Sequence, residues 1–391
     1  MPTRVNNVLS WASDCEVQTL LQAGKASRLP FLAGPLALMP DAHVGIGATV
    51  GSVIPTQGAI IPSAVGVDIG CGMAALDTGL RADQLPDDLG KLHGKIRDMI
   101  PAGVGKGRDK DAPGAGRIKF PRSLEDAVAF KYMDQRLRAI AGNQLGTLGS
   151  GNHFVEVCLD ERDQVWLMLH SGSRGVGNKL AQGHMKIAKG LMKEFFIHLE
   201  DPDLAYLVEG TPQFDAYISD MLWAQDYALA NREAMMESVI RSMEQVLGVT
   251  LPTNSINCHH NFTKKEHWAG KDVWITRKGA ISAREGQRGI IPGSMGTSSY
   301  IVTGLGNPAS YYSCSHGAGR RMSRGQARRE LSVDTLRKAM DGKVWNDRQA
   351  VALLDEHPDA YKDIDQVMED QKDLVQIDHR LTQVLNYKGS I

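Results

Sequence analysis

The spacing of apolar positions changes period several times along the chain, and the changes mark out its elements. Short apolar or alternating runs predict strands at residues 36–39, 50–54, 154–159, 164–169, 273–277, 300–303 and 383–387. Helical spacing predicts a short helix at 15–23 and another over 86–100, after Pro86. Ser123-Leu124-Glu125-Asp126 has the form of a capping box and opens a predicted helix running to about Ala141. Residues 177–199 and 214–247 are also helical by period, the second with Met and Leu at packing spacing, and residues 333–380 read as helical and polar. Residues 101–121, rich in Gly, Lys and Arg, read as a loop.

One pairing in this pattern bears on chemistry. The runs 154–159 and 164–169, joined by Glu161-Arg162-Asp163, predict an antiparallel hairpin. His153 opens one strand and His170 follows the other, so the hairpin brings two imidazoles side by side at one sheet edge. The run from Val50 to Leu76 has Asp68 as its only charge and is long enough to cross a bilayer. Pro55, Pro62 and its glycines break it into short pieces, which predicts buried strands and turns instead.

Within that run, Asp68-Ile69-Gly70-Cys71-Gly72-Met73 sets a carboxylate and a thiol three positions apart among small and apolar residues. Both groups ligate divalent metals, and glycines allow the backbone to aim them at one point. Alone, the stretch fits equally a buried turn with an inert Cys. Asn257-Cys258-His259-His260-Asn261 adds two adjacent histidines, of which at most one can face the same ion as His153 and His170. Gly-rich loops at 145–153 and 290–296, the Ser171-Gly172-Ser173-Arg174-Gly175 stretch, and Ser315-His316-Gly317-Ala318-Gly319 ahead of Arg320, Arg321 and Arg324 suit anion binding. The last is read as a turn that opens a basic helix. Asp41 and His43 lie just beyond a predicted strand, where they can touch substrate.

Composition narrows the function classes. With 44 Lys+Arg against 45 Asp+Glu, the chain does not hold nucleic acid by bulk charge, so any such contact must be local. Five scattered cysteines form no disulfide-like spacing, which points to a reducing compartment, and the N-terminus shows no secretory signal; a cytoplasmic location is expected. Candidate residues run from Asp41 to Lys388 without a linker between them. This scatter predicts an α+β fold in a single domain over 1–391, with mixed and antiparallel sheets surrounded by helices.

Six motifs taken together resemble the RtcB family of RNA-splicing ligases, bacterial branch: Asp68-Ile69-Gly70-Cys71-Gly72-Met73, Gly151-Asn152-His153-Phe154-Val155-Glu156, His170-Ser171-Gly172-Ser173-Arg174-Gly175, His259-His260-Asn261, Pro292-Gly293-Ser294-Met295-Gly296 and Ser315-His316-Gly317-Ala318-Gly319-Arg320. The resemblance runs in order from about Met39 to Lys388. It implies an RtcB-like fold with a central metal and nucleotide cleft. It implies joining of RNA 3′-phosphate or 2′,3′-cyclic-phosphate ends to 5′-hydroxyl ends, in tRNA splicing or RNA repair, with GTP and two manganese ions. By motif, Asp68, Cys71, His153, His170 and His260 would hold the metals, and His316 would take GMP from GTP. Asn152, Phe154, Glu156, Pro292, Gly293, Ser294, Met295, Ser299, Gly317, Ala318, Gly319, Tyr361 and Lys388 would hold the nucleotide. Arg174 and Arg320 would meet RNA phosphates, and Asp41 and His43 would line the site. Ile46 stands in a loop where bacterial relatives often carry Lys, which leaves one phosphate contact open. A two-metal phosphoesterase would use the same ligands without His316 or Lys388, and a non-catalytic RNA-end-binding protein would form no covalent adduct. No membrane contact and no obligate assembly are expected, with a monomer as the default.

Overall fold

The computed structural model, which describes residues 2–108 and 118–389, is built on two sheets that exchange strands. The middle of the predicted basic loop, residues 109–117, lies outside the described residues. The first sheet has six strands in the order Thr3–Val5, Val8–Ser10, Leu36–His43, Val50–Thr56, Lys271–Lys278 and Asn261–Trp268. Its one parallel pair joins Val8–Ser10 to the start of Leu36–His43. The second has seven, in the order Ile256–His259, Gly72–Arg81, Gln164–Ser171, Phe154–Leu159, Val375–Lys388, Ser299–Gly304 and Arg288–Ile291, all antiparallel. The sheets are linked by the chain itself. Ile256–His259 ends in the second sheet, His260 crosses, and Asn261–Trp268 begins in the first. This is the expected α+β architecture.

The predicted hairpin is present, with Phe154 opposite His170. Long helices cover the sheets. Arg174–Glu194 and Pro212–Leu247 match the predicted helical runs, the latter 36 residues long. Thr211 caps the long helix, its hydroxyl accepting from Phe214 N at 3.3 Å, and Gly248 closes it at φ 69. Its face carries Tyr217, Met221, Tyr227, Met235, Met236 and Met243 into two adjoining cores. Each such side chain contributes roughly 1.5–3 kcal/mol on burial. Two polar residues, Asn231 and Arg232, are also fully buried in the middle of that helix.

Four expectations are corrected. The strand at 36–39 continues through Pro40 to His43, so Asp41 and His43 lie on it rather than beyond it. Proline is tolerated there because the ladder with Val50–Thr56 is interrupted between Leu38 and His43. The helix expected over 123–141 is three short helices, Arg122–Asp126, Val128–Tyr132 and Gln135–Gln144. Ser123 caps none of them. Extended backbone at Ala127 and Met133 breaks the run, which lets Phe130 stack on Trp223 of the long helix, and Asp134 caps the third segment. The helix after Gly319 starts only at Arg324, where Ser323 accepts from Gln326 N. The 333–380 run holds two seven-residue helices and three 3₁₀ turns, and then becomes the strand Val375–Lys388. The half of this strand before residue 383 carries Gln376, Asp378, His379 and Arg380, which masked its alternation. No helix among the described residues is long and apolar enough to cross a membrane.

Candidate active site

Three strands and the crossing between the sheets deliver one group of donors. Cys71 sits immediately before the Gly72–Arg81 strand, His153 before Phe154–Leu159, and His170 near the end of the strand opposite. Cys71 Sγ lies 3.4 Å from His153 Nε2 and 3.2 Å from His170 Nε2. His260, at the crossing, is fixed by its own backbone. Its N–H donates to Cys71 O at 2.8 Å, and its carbonyl accepts from Ala280 N at 3.0 Å. Its Nε2 stands 2.9 Å from that of His170. Asp68 Oδ2 is 3.0 Å from His153 Nε2. A side chain at Gly172 would collide with the Asp68 carboxylate, so only glycine allows this approach. His259 turns away, its Nδ1 2.8 Å from Gly70 O.

The ring orientations decide what this group can hold. His153 Nδ1 donates to Leu148 O at 2.8 Å and His170 Nδ1 to Asn152 O at 3.1 Å. Both rings therefore turn Nε2 lone pairs toward the thiol, and one S–H cannot satisfy both. The group is rich in acceptors and short of hydrogens, which is the condition a divalent cation relieves. A thiol, three imidazoles and a carboxylate fit several first-row metals. Burial pushes His170 and His260 well below the ordinary histidine range, so both are neutral, as ligation requires. Burial, then Asp68, raises the Cys71 thiol.

His316 stands beside this group, its ring 4.7 Å from that of His260. It follows the short strand Ser313–Ser315, which pairs with Ala280–Ser282 just past the crossing. The fully buried Asp41 fixes it twice, with one carboxylate oxygen 2.6 Å from Nδ1 and 3.1 Å from the backbone N. The proton thus sits on Nδ1 and the lone pair on Nε2, at the other side of the ring. Burial works against the Asp41 carboxylate, yet its two contacts with His316 hold it below its ordinary value. Burial drives His43 down to about 4, so it is neutral.

A cavity of about 350 Å³ opens over His316, His260, His170 and Asp68. Its lining includes every residue expected to hold a nucleotide: Asn152, Phe154, Glu156, Pro292, Gly293, Ser294, Met295, Ser299, Gly317, Ala318, Gly319, Tyr361 and Lys388. His43 and Arg320 line it too. Asp41 supports His316 from behind, and Cys71 and His153 lie below the cavity floor. Arg174 is not on the wall. Its Nε donates to Thr147 Oγ1 at 3.2 Å and its backbone adopts φ 58. Arg320 donates to Met322 O, Asp355 O and Tyr361 OH at 2.7–3.0 Å, which occupies much of its fork.

Among the lining residues to which sequence reasoning gave no site role are Asn261, Lys278 and Glu356, while Arg324, read as a charge for an anion, lines the cavity too. Glu356 gathers Lys388 Nζ at 3.0 Å, Arg324 Nη1 at 2.6 Å and Tyr361 OH at 2.8 Å. Burial opposes its charge, but Lys388 and Arg324 hold it down at about 2. Nothing in its 3₁₀ surroundings marks it in the sequence. Lys278 was more legible, as a cation ending an apolar strand. Its Nζ donates to Ile46 O at 2.6 Å and Ser63 O at 2.9 Å, beside the loop where Ile46 offers no cation, and burial lowers it to about 7.

A family model described as tRNA-splicing ligase RtcB matches residues 22–389. This chain belongs to the RtcB family. It is 46% identical to the RNA-splicing ligase RtcB of Escherichia coli K12, across 96% of this chain and 95% of that protein. It is 31% identical to the tRNA-splicing ligase RtcB of Nanoarchaeum equitans, across 90% and 87%. The RNA-splicing ligase RtcB of Mycobacterium bovis is 30% identical across 89% and 95%. The family match thus spans the second sheet, four strands of the first and all the donors described above.

One carboxyl on the wall of this RtcB cavity has a consequence for stability. Burial raises Glu156 to about 7, against which Lys388 and Asn386 act only partly. The folded protein then binds a proton that the unfolded chain has already lost above its carboxylate range. Stability from this group falls as pH rises from about 4.5 to above 7, by roughly 3 kcal/mol at most. Urea unfolding at pH 5 and 8 is expected to show a smaller fall in Glu156→Gln than in the parent. Equal slopes would place the residue's pKa near its ordinary value.

Proposed function

We propose that this protein is a GTP- and manganese-dependent RNA ligase that joins 2′,3′-cyclic-phosphate or 3′-phosphate ends to 5′-hydroxyl ends through a covalent His316–GMP adduct. The observation that carries the reading is the placement of His316, an imidazole whose Nδ1 faces the Asp41 carboxylate, packed beside a buried Cys/His/Asp group at the floor of a cavity. A two-metal phosphoesterase would not need such a nucleophile. The relatives' names describe RNA-splicing and tRNA-splicing ligases, which accords with this.

His316 Nε2 attacks the α-phosphorus of GTP; a P–N bond forms and pyrophosphate leaves with the bridging oxygen. Asp41 stabilises the cationic ring that results, as the carboxylate of a hydrolase triad does for its histidine. An RNA 3′-phosphate oxygen then displaces His316 and takes GMP, giving an RNA-3′-pp-G end. The 5′-hydroxyl attacks the RNA phosphorus and releases GMP. A cyclic phosphate is first opened by water. Asp68, Cys71, His153, His170 and His260 would hold the metal ions, which when bound neutralise charge on the phosphate oxygens. Lys388 and Arg324, both paired with Glu356, and Lys278 line the cavity, and Phe154 offers an aromatic face.

The test is incubation with α-labelled GTP and Mn²⁺, denaturing electrophoresis and peptide mapping. A label that survives denaturation and maps to His316 is expected; its absence from folded protein under any divalent metal would favour the phosphoesterase. Asp41→Asn keeps the shape but weakens the hold on the Nδ1 proton. It is expected to slow adduct formation by roughly 10³-fold in single-turnover labelling, within the range seen for such orienting carboxylates. A parent-like rate would remove Asp41 from this role.

A further inference from the structure

Helices with a buried arginine at mid-length are uncommon, because the charge is costly to remove from water without an acidic partner. Arg232 is 0% exposed. Its acceptors are neutral: Asn257 Oδ1 at 2.7 Å, Gly70 O at 2.8 Å and Ser171 O at 3.0 Å. Its remaining nitrogen lies 3.1 Å from His259 Nδ1. These contacts fall on three chain segments, and each is next to a donor of the Cys/His group. Gly70 precedes Cys71, Ser171 follows His170, and His259 precedes His260.

The preceding residue completes the pattern. Asn231, also 0% exposed, accepts from Gly146 N at 2.7 Å and Thr147 N at 3.3 Å. Its amide nitrogen reaches Ser171 Oγ at 3.1 Å and Gly172 O at 3.2 Å. Ser171 Oγ in turn donates to Leu148 O, the same carbonyl that orients His153. Two successive side chains on one helix therefore brace the backbone around Cys71, His153, His170 and His260, yet neither touches the cavity.

We propose that Asn231 and Arg232 are positioning residues for the metal centre, acting through the carbonyls and the serine that fix its donors. The proposal rests on the reading that this group binds a divalent metal. A long guanidinium fork is needed because one rigid, always-charged plane must meet three separate acceptors, which a lysine ammonium on a flexible stem cannot do.

The test compares the full chain with Arg232→Lys, Asn257→Ala and Cys71→Ala. Mn²⁺ affinity is measured by electron paramagnetic resonance, and the thiolate-to-metal charge-transfer band by absorbance after loading with Co²⁺. Far-ultraviolet circular dichroism reports folding. Arg232→Lys is expected to bind Mn²⁺ about 10- to 100-fold more weakly than the parent, with a weakened or displaced cobalt band. Asn257→Ala removes one anchor of the fork and is expected to lose affinity less, and it carries the test should Arg232→Lys not fold. Parent-like affinity and a parent-like band in the folded variants would overturn the proposal. A parent that binds no Mn²⁺ and shows no cobalt band that Cys71→Ala removes would overturn the metal reading itself, and this inference with it.

Discussion

His316→Ala is expected to form no covalent guanylate and to lose RNA joining by at least about 10⁴-fold, the scale on which removal of a nucleophile is felt. The argument is local. Among the cavity's histidines, His316 is the one whose Nδ1 is locked to a buried carboxylate while its other nitrogen is left with a lone pair. His170 and His260 turn their Nε2 atoms into the donor group, 2.9 Å from each other. The variant should still fold, because the ring packs at the edge of the cavity and its backbone N–H keeps its bond to Asp41. The discriminating measurement supplies a chemically prepared RNA-3′-pp-G end and a 5′-hydroxyl strand. His316→Ala should still seal these, since the activated end bypasses the adduct. Failure at that step as well would mean that His316 serves the final displacement or the fold, not nucleotide transfer alone.

Cys71→Ala is expected to lose Mn²⁺ affinity by more than about 100-fold and to lose both adduct formation and joining. Residues that only support ligands typically cost 10- to 100-fold, so a central donor should exceed that. Cys71 Sγ is the atom that both His153 and His170 approach within 3.4 Å, so its removal affects the whole group. Equilibrium dialysis with metal analysis separates the outcomes. Full metal retention in a folded Cys71→Ala protein would show that the ion is held by the imidazoles and Asp68 alone.

Much of this site could be read from the chain because its residues are bound to short-range signals. A hairpin brought His153 and His170 together, and the structure sets Phe154 opposite His170. Glycine before or after Cys71, Asn152 and His316 marked tight approaches. The RtcB resemblance supplied the roles that spacing could not. What was hidden depends on distant contacts. Whether His259 or His260 faces the thiol is decided by the crossing between sheets, where Cys71 O receives the His260 N–H. Glu356 lies in a polar stretch of 3₁₀ turns, and only the fold brings Lys388 to it. Asp41 was legible as a site residue but not as the partner of His316, 275 positions away. The three-part helix at 122–144 was missed because Phe130 gains more by stacking on Trp223 than the local propensity gains by continuing.

The strand Val375–Lys388 lies inside its sheet, between Phe154–Leu159 and Ser299–Gly304, and not at an edge. During synthesis, a chain halted on the ribosome before Val375 already contains Cys71, His153, His170, His260 and His316. It lacks the strand that joins the hairpin to the 299–304 strand, and it lacks Lys388. Every donor is then present in sequence while the sheet that holds the hairpin histidines is split down its middle. The sheet that positions the hairpin histidines is therefore complete only once the last strand of the chain has entered it.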